Sequence, residues 1–429
     1  MTERRRRDGR ARRVAVRAAA TALASAVLLG VGIAPARADT VRDLEYWLAE
    51  YGFTDAWTTS RGGGVKVAVI DTGVNGAVAE LEGVVVGGTD VSGLGSPDGQ
   101  TPVGSESQHG TLVASLLAGR GTTPGNGVIG VAPDASILSV SVAFGEDTGS
   151  TVTNDDQIAQ AVRWAVDNGA SVINMSLTRN TRDWPESWDD AFLYAFEHDV
   201  VVVAAAGNRG SGTTEVGAPA TIPGVLTVAG VDRDQNASFD ASSQGITIAV
   251  AAPSEDLVGV MPDGSYVQWN GTSGAAPIVS GLVALVRAKY PDLDAANVIN
   301  RVIRTADPKG DPLPSPLYGY GLIDPVEALT ADVPAVTANP LGSLEEWIRV
   351  HRRADSGSTA PPETAAPVVP IEDPPLPRSD SAKTLLPTPW TLAYVTVPLS
   401  LTAAFGTLAA LLGIGASRHI RRSARPHDR

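Results

Sequence analysis

Cysteine is absent from this 429-residue chain. Disulfides, thiolate-held metals and a thiol nucleophile are thereby excluded, and the fold has to rest on core packing. Basic residues are scarce where nucleic acid would need them. Residues 39–416 hold 19 Lys and Arg against 44 Asp and Glu, although the formal charge of the whole chain is only −14. Phosphate backbones require a basic face, so nucleic acid is excluded as a partner. The positive charge sits instead at the two ends. Eight arginines fall within the first 17 residues, and Arg418, Arg421, Arg422, Arg425 and Arg429 crowd the tail. No internal repeat is present. Apolar residues, at 43%, suffice for one large core with appendages or for two ordinary domains.

Both ends read as targeting segments. Within residues 1–38, a basic stretch from Arg4 to Arg17 precedes an apolar run, Ala18 to Ile33, and the small-residue site Ala36-Arg37-Ala38. This is the layout of a cleaved export signal; an uncleaved N-terminal anchor is the alternative. Arg12-Arg13 matches a twin-arginine signal too loosely to choose an export route. Leu392 to Ile414 carries no charge over 23 residues, long enough for a bilayer core of about 30 Å. Residues 390–416 are therefore expected to form a transmembrane helix, with Trp390 and Tyr394 at its interface and Pro398 tolerated. A buried core helix is the alternative. The basic tail 417–429 then lies in the cytoplasm, and residues 39–389 lie outside. Residues 354–389 contain nine prolines and make an extended linker. Before it, within 331–353, Ser343-Leu344-Glu345-Glu346 is a capping box opening a short helix with Leu344, Trp347 and Ile348 inward.

Residues 65–330 alternate buried strands with amphipathic helices. Val65 to Ile70 is apolar and β-branched, as a central parallel strand should be, and Ile137 to Val142 repeats that character. Asp156 to Asn168 places Ile158, Ala161, Val162, Ala165 and Val166 on one helical face, with Gly169 as its stop before the strand Ser171 to Met175. Trp188 to His198 gives another helix, followed by the strand Val200 to Ala205. This alternation predicts an α/β fold: a doubly wound, mostly parallel sheet with helices on both faces. Ligands then bind beyond the carboxyl ends of the strands.

Three segments place a polar residue at such a boundary among small neighbours. Asp71-Thr72-Gly73 leaves a carboxylate at the end of a buried strand. His109-Gly110-Thr111-Leu112-Val113-Ala114 sets a histidine at the mouth of an apolar helix. Asn270-Gly271-Thr272-Ser273-Gly274-Ala275-Ala276-Pro277 starts a helix with a serine. Singly, Asp71 could cap a turn, His109 could be a satisfied helix-start residue and Ser273 an ordinary N-cap. Together they are the residue types that nucleophilic acyl transfer needs. An imidazole removes the hydroxyl proton, a buried carboxylate holds the imidazole, and free N–H groups at a helix start meet the oxyanion.

These motifs, in this order, resemble those of the subtilisin-like serine proteases over about Val65 to Leu329. The resemblance implies Asp71, His109 and Ser273 as catalytic triad. A fourth match, Val201 to Asn208, implies Asn208 as side-chain donor to the oxyanion. Substrate contacts implied in the same way are Ser176 and Leu177 on one wall of the specificity pocket. Ala205 and Gly207 form the other wall, and Gly217 leaves a deep floor. Thr178, Gly274 and Leu112 depart from the family pattern, and Thr178, where glycine is usual, is expected to narrow access. The loop Arg120 to Gly127 holds calcium in many relatives but has no carboxylate here, so no metal or other cofactor is expected. His198, His351, His419 and His427 are given no role.

Residues 39–64 are too few for a folding pro-domain, and their Tyr46, Trp47, Leu48, Tyr51, Phe53 and Trp57 are expected to bury against the main domain as a retained extension. Extension, protease domain, linker and anchor together resemble the mycosins, membrane-anchored proteases of type VII secretion systems. That resemblance implies a protein or peptide substrate and a secretion membrane complex as partner, with a structural subunit of that complex as the alternative role. The lack of cysteine departs from mycosins that carry disulfides.

Overall fold

The computed structural model describes residues 41–123, 125–144 and 148–352. The expected export signal, linker and membrane span lie outside them. Among the described residues no helix is long and apolar enough to cross a membrane.

Among the described residues nine strands occur in chain order: β1 (Lys66–Asp71), β2 (Val85–Asp90), β3 (Ser136–Ser141), β4 (Val172–Met175), β5 (Val201–Ala205), β6 (Leu226–Val231), β7 (Ile248–Pro253), β8 (Leu257–Val260) and β9 (Tyr266–Trp269). The first seven form one sheet in the order β2-β3-β1-β4-β5-β6-β7, with every pairing parallel. Residues of β4, β5, β6 and β7 are buried at every position, so both faces of the sheet are covered. The chain leaves β1 for β2 and β3 on one side, then crosses to β4 on the other. The crevice of such a sheet opens at this reversal, beyond the ends of β1 and β4.

The helices are α1 (Tyr46–Glu50), α2 (Phe53–Ala56), α3 (His109–Ala118), α4 (Asn154–Asp167), α5 (Glu186–Glu197), α6 (Thr272–Lys289), α7 (Ala295–Arg304), α8 (Pro325–Thr330) and α9 (Leu344–His351). Helix α6 runs across β4 to β7 and packs on α3, while α4 packs on α5. Local signals explain the boundaries. The Thr153 hydroxyl accepts from the N–H of Asp156 to start α4, and Gly169 ends its last turn at φ 78°. Helix α9 starts in the same way, with the Ser343 hydroxyl accepting from the Glu346 N–H. The Glu346 side chain departs from a full capping box, because it pairs with Arg349. Leu344 is buried as expected, whereas Trp347 and Ile348 are half-buried, with Trp347 against Trp184.

Residues 41–60 are part of the core. Tyr46, Trp47, Leu48, Tyr51 and Phe53 are buried, Trp57 is half-buried, and its indole N–H donates to Val131 O at 2.8 Å. Arg42 reaches the loop where calcium would sit in relatives: its guanidinium donates to Gly127 O at 2.9 Å and to Asn126 O at 3.2 Å. A positive charge of the chain itself thus meets those carbonyls. Glu45 lies beside it, accepting from the Ile129 N–H at 2.9 Å. Burial pushes the Glu45 carboxyl up to about 9, against the opposing pull of Arg42 and that N–H. The antiparallel hairpin of β8 and β9, which sequence alternation did not reveal, packs on α3.

Candidate active site

Asp71 ends β1 and is fully buried. Its Oδ1 accepts from the Thr72 N–H at 2.7 Å and faces His109 Nδ1 at 2.8 Å, with Oδ2 at 3.0 Å from the same nitrogen. The approach of α3 to β1 depends on Gly110. A Cβ there would fall 2.3 Å from Gly73 O, so any larger residue would push His109 off the carboxylate. Burial alone would draw the imidazole's pKa down. The Asp71 carboxylate, by charge and hydrogen bond, more than offsets this with help from Glu106, and His109 lies above its ordinary 6.5. The Trp269 ring meets the imidazole in a T-shaped arrangement, with ring centres 5.8 Å apart.

Ser273 is the second residue of α6, in the turn whose N–H groups lack partners within the helix. A buried chain of hydrogen bonds sets its backbone: Ser280 Oγ donates to Asn174 Oδ1 at 2.9 Å, Asn174 Nδ2 to Ser176 Oγ at 3.0 Å, and Ser176 Oγ to Ser273 O at 2.8 Å. The Ser273 hydroxyl donates to Ser176 O at 3.1 Å. His109 and Ser273 border the same cavity of about 750 Å³, together with Ser176 and Leu177. Asp71, fully buried, does not border it.

Asn208 follows β5. Its Oδ1 accepts from the Thr272 N–H at 2.8 Å and from the Thr272 hydroxyl at 2.9 Å. With that oxygen engaged, the Nδ2 end is turned toward Gly271, where an added Cβ would lie 3.0 Å from it. Asn208 thus holds the start of α6 and leaves a donor beside the turn that carries Ser273. Gly274 makes room for the hairpin, because a Cβ there would lie 2.3 Å from a Leu257 methyl. Leu112, buried, fits under Gly259 of the same hairpin.

Ala205, Gly207 and Gly217, expected around a deep pocket, are buried. None of these three borders the cavity. A Cβ on Gly217 would lie 1.8 Å from Arg179 O and 2.6 Å from Thr178 Oγ1, and one on Gly207 would lie 3.3 Å from Thr178 Cγ2. Arg179 O and Thr178 crowd Gly217, while the Thr213 methyl at 2.7 Å and Ser243 Oγ at 3.0 Å lie nearer than Thr178 to a Cβ on Gly207. The open cavity extends instead past Glu106, Phe144, Ile158 and Trp188, where Arg179 pairs with Asp155. Sequence reading missed these lining residues. Phe144 lies just beyond the carboxyl end of β3, where the sheet rule would have found it.

A model of the subtilase family, peptidase S8, matches residues 62–321. The chain belongs to the subtilase family. Subtilisin DY from Bacillus licheniformis is 39% identical over 272 residues, covering 62% of this chain and 91% of its own. The solved structure of MycP1 with its N-terminal propeptide removed is 33% identical at a TM-score of 0.59, covering 68% of this chain and 98% of that one. MycP1 described as an essential component of the type VII (ESX-1) secretion system is 34% identical at a TM-score of 0.58, covering 68% and 90%. The subtilase chain is a serine endopeptidase, and its solved neighbours include mycosins. Among its described residues, no group of three or more His, Asp or Glu is placed to hold a metal ion.

Proposed function

We propose that this subtilase cleaves exported or envelope polypeptides at the outer face of a membrane, with Asp71, His109 and Ser273 as its triad. The observation that carries this is the buried Asp71 carboxylate at 2.8 Å from His109 Nδ1, on the wall of the cavity that also holds the Ser273 hydroxyl. Asp71 keeps the proton on Nδ1, so Nε2 is left free to accept one. The Ser273 hydroxyl turns from Ser176 O toward that nitrogen, loses its proton and attacks the scissile carbonyl. Negative charge then develops on the carbonyl oxygen, where Asn208 Nδ2 and the Ser273 N–H donate. His109 returns the proton to the leaving amine, and water repeats the cycle on the acyl-enzyme.

Anchoring through residues 390–416 rests on that uncharged stretch and the arginines after it. Association with a type VII system rests on the likeness to MycP1 and MycP3, proteases described as belonging to such systems. The test is twofold. Full-length protein in detergent should hydrolyse a protein substrate, and Ser273→Ala or His109→Ala should stop it. A reporter fused after Arg429 should read cytoplasmic and one inserted near Pro375 external. Hydrolysis surviving in Ser273→Ala refutes the triad, and an external reading after Arg429 refutes the anchor.

A further inference from the structure

Two stretches flank the nucleophile. Ser176 to Thr178 is tied to it through Ser176 O, and Ala205 to Gly207 through the Thr272 hydroxyl, which accepts from Gly207 N–H at 3.1 Å. The resemblance to subtilases places the side chain of the residue that gives the acyl group between them. Thr178 borders that space: Cβ atoms added at Gly207 and Gly217 would lie 3.3 Å from its methyl and 2.6 Å from its hydroxyl, with the Thr213 methyl (2.7 Å) and Ser243 Oγ (3.0 Å) also against Gly207 and Arg179 O (1.8 Å) against Gly217. Rotation does not vacate the space, because a β-branched side chain keeps two heavy atoms on Cβ and strongly favours few rotamers.

The backbone that carries the plug is held on both sides. Arg179 N–H donates to Ala218 O at 2.7 Å, and Ala218 N–H to Thr181 O at 2.9 Å. The Thr213 hydroxyl donates to the Asn180 side chain, and the Arg179 guanidinium pairs with Asp155 and lies over the Trp188 ring at 5.5 Å. Opening the pocket by moving this segment would break all of these at once.

We propose that Thr178 is the specificity-determining residue of this protease, closing the space beside Ser273 so that the residue contributing the scissile carbonyl must be glycine, alanine or serine. This inference rests on Ser273 being the nucleophile. Even one methylene of misfit changes kcat/KM about 10- to 200-fold in a rigid pocket, and leucine or phenylalanine exceeds alanine by several carbons.

The test uses full-length protein in detergent and a peptide series that varies only the residue before the scissile bond. Alanine should exceed phenylalanine by about 100-fold or more in kcat/KM. Thr178→Gly should raise the phenylalanine-to-alanine ratio by about tenfold or more, with Thr178→Ser in between and Thr178→Val, which keeps the volume, close to the parent. Should Thr178→Gly fold poorly, the parent series and the Ser and Val variants still decide. Equal cleavage after alanine and phenylalanine by the parent, or a ratio unmoved in Thr178→Gly and Thr178→Ser, overturns the proposal. A fluorophosphonate adduct at Ser273 without any preference for small residues refutes the pocket alone. No adduct and no cleavage across the series refutes the nucleophile and the pocket with it.

Discussion

Replacing Asp71 by asparagine separates charge and tautomer from shape. The Thr72 N–H donates to one Asp71 oxygen at 2.7 Å. In Asp71→Asn the amide oxygen should keep that bond, which places the NH2 where Oδ2 stood, 3.0 Å from His109 Nδ1. The ring nitrogen that donated must then accept, so the imidazole proton moves to Nε2. An Nε2 that carries the proton cannot take one from Ser273. Such a tautomer swap lowers kcat about 10⁴-fold in a serine protease, roughly 5 kcal/mol of transition-state stabilisation. The pH profile should change as well. Acylation needs a neutral His109, so the rate of the parent rises with pH through a value above 6.5, the direction in which Asp71 holds the ring. Without the carboxylate, the lowering effect of burial remains and the acid limb should move to lower pH. Burst-resolved peptide hydrolysis from pH 5 to pH 9 measures both. Turnover within tenfold of the parent, or a limb that moves up, would refute the assigned roles.

Three further outcomes follow from the same geometry. Asn208→Ala should lower kcat about 10²- to 10³-fold with KM little changed, a magnitude taken from a subtilisin relative; near-parental turnover would mean the oxyanion is held by other donors. Trp47 is fully buried, and Trp47→Ala should cost about 3–5 kcal/mol, lowering Tm by roughly 5–15 °C in a Ser273→Ala background that prevents autolysis. Glu45 has its folded pKa raised to about 9 from 4.5, so its contribution to stability is fully present below pH 4.5 and lost as pH rises toward 9. Glu45→Gln in the same background should flatten the fall of Tm across that window, and an unchanged slope would locate the pH dependence elsewhere.

The parallel sheet and the Asp71, His109 and Ser273 segments were legible because each is a local pattern. A run such as Val67 to Ile70 is buried on both faces, and a small-residue turn follows each strand end. The aromatic residues of 46–57 also announced their burial, since several such side chains in a short polar stretch have few other places to go. What depends on distant pairing was not legible. Thr178 closes its pocket only because Arg179 and Thr181 pair with Ala218, some forty residues on. Arg42 meets Gly127 across 85 residues, which no local window connects. The β8–β9 hairpin escaped because its strands have four residues each and β9 alternates only between exposed and half-buried positions. Departures noted in the sequence, at Thr178, Gly274 and Leu112, proved to be the places where neighbouring chain fills space.

The central claim is that Ser273 is a nucleophile activated by His109. Intact-mass and peptide-mapping analysis of the full-length protein after treatment with a fluorophosphonate tests it most directly. One adduct per chain, located at Ser273, should form in the parent, be absent in Ser273→Ala and form orders of magnitude more slowly in His109→Ala. An adduct at any other serine, or one that forms at the parental rate without His109, would contradict the account.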